Sequence, residues 1–350
     1  MSRMLLTIVA GLAAGVANAG PDHGDHKHGD HKHADHDQAE HAEAATPEHK
    51  SLAELFADMP KPELWIGTSA PALKLSHFAR GEAITSFEPG HTYVVEMWAT
   101  WCGPCIRAFP HVASLQEKYS DKLSVIGVNV WEQSKGQERL DLVNEFVAKH
   151  TEMKYTVAME EGTAMSDTWM KPAGQNGIPA AFIVDGAGKV AWIGHPMGMD
   201  EPLDAIIKGE YDIEAASQDA WNQELMQIAS TEVRRAAKAG EAERVMDVSK
   251  ALVYGPSAED PQTLNMVAWT LLNLKDADAT TLKLAHHAAK TAAELTEWKS
   301  WMVLDTYALA AFKHGDREEA IKWQKKAMEL APDEYREQLQ PQMDLFTGEG

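Results

Sequence analysis

Between about residues 65 and 213, short apolar runs alternate with amphipathic stretches. Residues 93–98 (Tyr-Val-Val-Glu-Met-Trp) are almost continuously apolar, the pattern of a strand buried on both faces. Residues 123–130 repeat that pattern, and 156–159, 181–184 and 190–193 predict three shorter strands. Residues 107–119 instead place Phe109, Val112, Leu115 and Tyr119 at three- and four-residue intervals, the spacing of one helical face, and 140–147 predicts a second helix. Asp185-Gly186-Ala187-Gly188 is a turn between the last two strands, which makes them an antiparallel hairpin. A strand–helix–strand unit followed by a hairpin predicts an α/β domain on a mixed sheet.

After Ile213 the strand pattern stops. Residues 220–345 are rich in Ala, Leu, Glu and Lys at helical spacing, with breaks near Gly240, Gly255-Pro256 and Gly315. The last stretch resembles a tetratricopeptide repeat. Leu304, Tyr307, Ala308 and Ala311 line one helix, Gly315 turns the chain, Ala320 and Ala327 line the next, and Pro332 ends it. Trp269, Leu272, Ala285 and Ala292 form a weaker copy upstream, and a plain helical bundle is the competing reading. Residues 51–59 predict a short helix, broken by Pro60 and Pro62.

The first 50 residues carry no core pattern. Residues 1–19 read as a secretory signal: Arg3, an apolar stretch over 5–16, then Ala17-Asn18-Ala19 as a cleavage site. The apolar stretch is shorter than the roughly 20 residues a span needs, and an uncleaved membrane anchor is the alternative. No later segment reads as a membrane span. Residues 20–50 hold eight of the 16 histidines in a low-complexity run, the composition of a disordered arm. The expected organisation is a signal over 1–19, a His-rich arm or linker over 20–59, the α/β domain over 60–213 and a helical domain over 214–350. The protein is thus expected to be exported, periplasmic or extracellular. A formal net charge of -21 excludes nucleic acid as a partner, because phosphate backbones select basic surfaces.

Only two cysteines occur, in Trp101-Cys102-Gly103-Pro104-Cys105. A disulfide across so short a loop constrains little of the unfolded chain, so chemistry explains the pair better than stapling. Disulfide exchange needs an attacking thiolate and a second thiol near enough to release the mixed disulfide. A Cys-x-x-Cys after a buried strand and at the start of a helix meets both needs. The helix N-terminus favours the Cys102 thiolate as nucleophile, and Cys105 lies one turn below as the resolving thiol. Pro104 suits the first turn. A zinc half-site is the competing reading, but it lacks a second ligand pair.

The segment Val94-Val95-Glu96-Met97-Trp98-Ala99-Thr100-Trp101-Cys102-Gly103-Pro104-Cys105 resembles the active-site segment of thioredoxins, and most closely the exported thiol:disulfide oxidoreductases of the TlpA/ResA type. Pro110 matches the proline within the active-site helix, and Gly177-Ile178-Pro179 the segment with the cis-proline. The resemblance covers about residues 65–213 and implies a thioredoxin fold. It implies that Pro179 faces the cysteines, that Trp101, Gly103, Pro104 and Ile178 shape the client-binding surface, and that no cofactor is required. It also implies that Glu96, six residues before Cys102, accepts the proton of the resolving thiol; the competing reading turns Glu96 to solvent. Gly103-Pro104 and Ile178 are residue types of reducing thioredoxins, although Ile178 stands where TlpA-type proteins commonly carry Thr. Partners would then be client proteins bearing disulfides or thiols and an upstream electron-donor protein.

A second functional class is a metal-handling or assembly protein. His26, His28, His31 and His33 form His-x-His pairs that can bind Zn²⁺, Cu²⁺ or Ni²⁺, with the dithiol serving delivery and the helices recruiting partners. A solvated tether is the alternative reading of the same arm.

Overall fold

The computed structural model describes residues 48–349, and no helix among them is long and apolar enough to cross a membrane. The signal and the histidines at 26, 28, 31 and 33 lie outside the described residues. The described chain divides into two compact units, one of residues 61–218 and one of residues 48–60 with 219–349.

The second unit begins with α1 (Leu52–Leu55), a single turn closed by a capping box between Ser51 and Glu54. The sequence predicts a short helix over 51–59 within an arm or linker, and the helix forms only over its first turn. Leu52 and Phe56 are buried in the same core as the C-terminal helices. An isolated turn has no stability of its own, and these two apolar side chains supply it.

The first unit is built on a six-stranded sheet. Its strands are β1 (Leu75–Arg80), β2 (Thr92–Trp98), β3 (Leu123–Asn129), β4 (Thr156–Glu160), β5 (Ala180–Val184) and β6 (Val190–Gly194). Their order is β1-β4-β3-β2-β5-β6, with β2, β3 and β4 parallel and the outer pairings antiparallel. The mixed sheet and the final hairpin follow the sequence pattern, and the fold is thioredoxin-like. β1 was not anticipated: it is an edge strand, only half-buried, with two register irregularities against β4, so no alternation marks it.

Helices α2 (Gly103–Lys118), α3 (Gly136–Lys149) and α4 (Asp200–Lys208) supply one of the two cores against the sheet. Val94 and Trp98 join Phe109, Val112, Val143 and Leu203 there. Tyr93, Val95 and Met97 belong to the other core, with Met165, Trp169 and Met170. The last two belong to a wide helical turn, Ser166–Met170, with hydrogen bonds five residues apart. A strand alternates its side chains between faces, so β2 must be apolar throughout to serve both cores.

Helices α5 (Ile213–Ala239), α6 (Ala242–Val253), α7 (Pro261–Leu272), α8 (Ala279–Leu295), α9 (Trp301–His314), α10 (Arg317–Leu330) and α11 (Asp333–Thr347) complete the chain. α7 packs on α8 and α9 on α10. Leu304, Tyr307, Ala308, Ala311, Ala320 and Ala327 are buried as their spacing predicts. Trp269 is not: it is 44% exposed, because Leu264, Val267, Ala268, Leu271 and Leu272 form the buried stripe of α7 and leave it off that face.

Candidate active site

The site forms where β2 runs into α2. After Trp98 the chain turns sharply, with the Cys102 amide donating to the Ala99 carbonyl at 3.1 Å. Cys102 then caps α2, its sulfur accepting a hydrogen bond from the Cys105 amide at 3.2 Å. Pro104 sits in the first turn, where an amide proton would have no helical partner. Cys102 and Cys105 are joined by a disulfide, with Cα atoms 5.3 Å apart. Cys102 is 2% exposed and Cys105 fully buried, so an incoming group meets Cys102 first. An amide donor at the start of a helix, as the Cys105 N–H is to the Cys102 sulfur, is the kind of contact that favours a thiolate.

The neighbours predicted from sequence gather here to different degrees. The Ile178–Pro179 peptide is cis. Met97 pairs with Ala180 across β2 and β5, which places Pro179 beside the end of β2 that leads into the cysteine turn. Ile178 packs partly buried against both sheet cores. Trp98 is core, whereas Trp101 is 56% exposed, its indole N–H donating to the Trp131 carbonyl at 3.1 Å. Pro104 is exposed and Gly103 half-buried.

Glu96 does not reach solvent. It is fully buried on β2, and neither carboxyl oxygen has a hydrogen-bond partner in the protein. Strand periodicity turns it to the same face as Trp98, the side of the sheet that carries α2. Burial pushes its pKa up to about 8, because the ionised form loses its hydration. The Tyr155 hydroxyl and the Trp98 indole N–H are also buried without partners.

Gly127 makes room for this polar group of side chains. It lies opposite Glu96 in the β2–β3 register. A Cβ at Gly127 would sit 2.9 Å from the Tyr155 ring and 3.3 Å from the Trp98 indole nitrogen. Gly127→Ala is therefore expected to cost about 1–3 kcal/mol by overpacking, read as a lowered midpoint in chemical denaturation. An unchanged midpoint would show that the rings yield freely.

His195 caps the short turn Pro196–Gly198, which packs on α2, and burial lowers its pKa. His77 contacts Asn144, His91 contacts Ser124, and His111 lies 2.9 Å from Asp200. Each serves local structure. His286 stacks on His314 and His287 on Tyr254, so these adjacent histidines diverge. Among the described residues no group of three or more His, Cys, Asp or Glu could hold a metal ion. Sequence reasoning missed Glu132, which accepts hydrogen bonds from the backbone and side chain of Thr100. Nothing marks it in the sequence, since it lies in a loop 30 residues after Cys102.

Residues 66–202 match the family model described as Redoxin. This segment is a redoxin domain. The redoxin domain carries the likeness to known proteins. HelX, a thiol:disulfide interchange protein of Rhodobacter capsulatus, is 27% identical over 157 residues, 43% of this chain and 82% of HelX. The thiol-disulfide oxidoreductase ResA of Bacillus cereus is 28% identical over 135 residues, 39% of this chain and 71% of ResA. A solved thiol:disulfide interchange protein from a Bacteroides species superposes with a TM-score of 0.35 at 16% identity, covering 42% of this chain and 92% of its own. With the buried Cys102–Cys105 pair at the start of α2, the redoxin domain is a thioredoxin-like thiol–disulfide oxidoreductase.

Proposed function

We propose that the protein is an exported reductase that keeps the thiols of client proteins reduced. The observation that carries this reading is the position of the cysteines: Cys102 caps a helix at the mouth of the site, and Cys105 lies beneath it. In the reduced protein the Cys102 thiolate attacks one sulfur of a client disulfide, and the other client sulfur leaves as a thiolate. The Cys105 thiol then loses its proton to Glu96 and attacks the Cys102 sulfur. The second client sulfur departs, the Cys102–Cys105 disulfide closes, and two electrons have passed to the client. A donor protein with its own dithiol returns the pair to the reduced state, since the chain has no third cysteine.

Pro179 and Ile178 form one wall of the client site and Trp101, Gly103 and Pro104 the other. The signal-like residues 1–19 support export, and homologues that are thiol–disulfide oxidoreductases support protein thiols as substrates. The consecutive helix pairs of the second unit suit a repeat-like surface for partners.

The direction is tested by equilibrating the dithiol against a dithiothreitol couple. Gly103-Pro104 predicts a potential near that of thioredoxin, about -270 mV, and a value near the roughly -120 mV of a strong oxidant would overturn the reductase assignment.

A further inference from the structure

The loop after β3 reaches back to the cysteine turn. Glu132 accepts the Thr100 amide proton on Oε1 at 2.6 Å and the Thr100 hydroxyl proton on Oε2 at 3.0 Å. Its Oε1 also accepts from the Asn129 side-chain amide at 2.8 Å. The preceding residue, Trp131, has φ 56, a left-handed backbone that a bulky side chain disfavours. Its carbonyl receives the Trp101 indole N–H. A strained residue persists where its surroundings over-determine it, and strain of this kind gathers at functional sites.

Glu132 is braced from behind. Arg139 donates to the side chain and the carbonyl of fully buried Asn129, at 3.1 and 2.7 Å from Nη2. The same guanidinium lies 3.9 Å from Glu160, a buried carboxylate that accepts from the amide and hydroxyl of Ser166. A chain of polar contacts thus runs from the wide turn Ser166–Met170 to Thr100. An acid that served only solubility would need none of it.

We infer that Glu132, with the Trp131 carbonyl, is a positioning residue that locks the Thr100–Trp101 turn and so presets the surface on which a client protein docks beside Cys102. Trp101 is the most exposed large hydrophobic side chain among the described residues, yet its indole nitrogen is pinned. An aromatic ring held in one pose loses little freedom on binding, so a preset Trp101 favours docking of a protein. A small disulfide reaches Cys102 without using that platform. The inference rests on the reading that the dithiol exchanges with client proteins.

The test uses the full chain and two probes, insulin as a protein disulfide and 5,5′-dithiobis(2-nitrobenzoic acid) as a small one. Glu132→Ala is expected to lower kcat/KM for insulin about tenfold, mainly through KM, while the small disulfide changes less than about twofold. Glu132→Gln keeps an oxygen for the Thr100 amide and should recover most of the loss. Thr100→Val, which removes only the hydroxyl bond, should fall between and covers the case in which Glu132→Ala does not fold. Hydrogen exchange at the Trp101 indole N–H, slow in the parent, should quicken in Glu132→Ala. Equal losses with both probes, or no loss with insulin, would overturn the inference. A parent protein that reduces neither probe would instead overturn the proposed client-reducing role on which the inference rests.

Discussion

Cys105→Ser is expected to accumulate as a mixed disulfide with client proteins through Cys102, whereas Cys102→Ser should form none. The reason lies in the depth of the two sulfurs. Cys102 caps α2 and is the first sulfur that an incoming disulfide meets, while Cys105 is fully buried behind it. Without Cys105 the first exchange proceeds and the second cannot, so the intermediate persists. Turnover should drop to the uncatalysed background in both variants. Non-reducing electrophoresis followed by mass spectrometry reads the adducts and identifies the clients. Equal trapping by the two variants would mean that Cys105 also reaches clients, and the assignment of nucleophile and resolving thiol would fail.

Glu96→Gln should separate the two steps of exchange. General base catalysis by a positioned carboxylate is worth about 100-fold or more, so resolution of the mixed disulfide should slow by that order while its formation is unchanged. Stopped-flow reduction, followed over pH, should also lose an inflection near pH 8, the value to which burial raises this carboxyl. The same shift bears on stability. A Glu at its ordinary value of 4.5 is ionised in the unfolded chain at neutral pH, while the buried Glu96 keeps its proton until about pH 8. The folded state therefore binds the extra proton between these values, and stability falls as pH rises from 4.5 to 8 and then levels off. At pH 7 the penalty is on the order of 3 kcal/mol. Glu96→Gln, which cannot ionise, should gain on the parent across this window and match it most closely below pH 5. Denaturation midpoints that track each other from pH 5 to pH 9 would show that Glu96 does not titrate in its buried site.

Much of the redoxin domain was legible because its burial is simple. β2 and β3 lie at the centre of the sheet between two cores, so their apolar runs stand out. α2 announces itself through Phe109, Val112 and Leu115 on one face. The cysteine pair was legible because spacing alone places one sulfur above the other. What escaped were features that depend on tertiary company. β1 has neither alternation nor a continuous apolar run, since its side chains are only partly covered. Glu132 looks like any loop acid until Thr100 lies beside it. The short helix at 51–59 is legible but its packing is not, because Leu52 and Phe56 are too few to announce a core and the helices that cover them follow more than 150 residues later.

That distant pairing has a consequence for how the chain is made. The helical unit is discontinuous in sequence: its first turn precedes the redoxin domain and its remainder follows. As the chain emerges N-terminal end first, whether from the ribosome or across a membrane, residues 61–218 can complete their sheet while Leu52 and Phe56 still wait for partners that have not yet followed. The order of emergence therefore sets the order of assembly, with the catalytic fold first and closure of the helical core last. Closure of the helical core thus depends on helices that follow the redoxin domain, with α1 packing on α6, even though no thiol resides there.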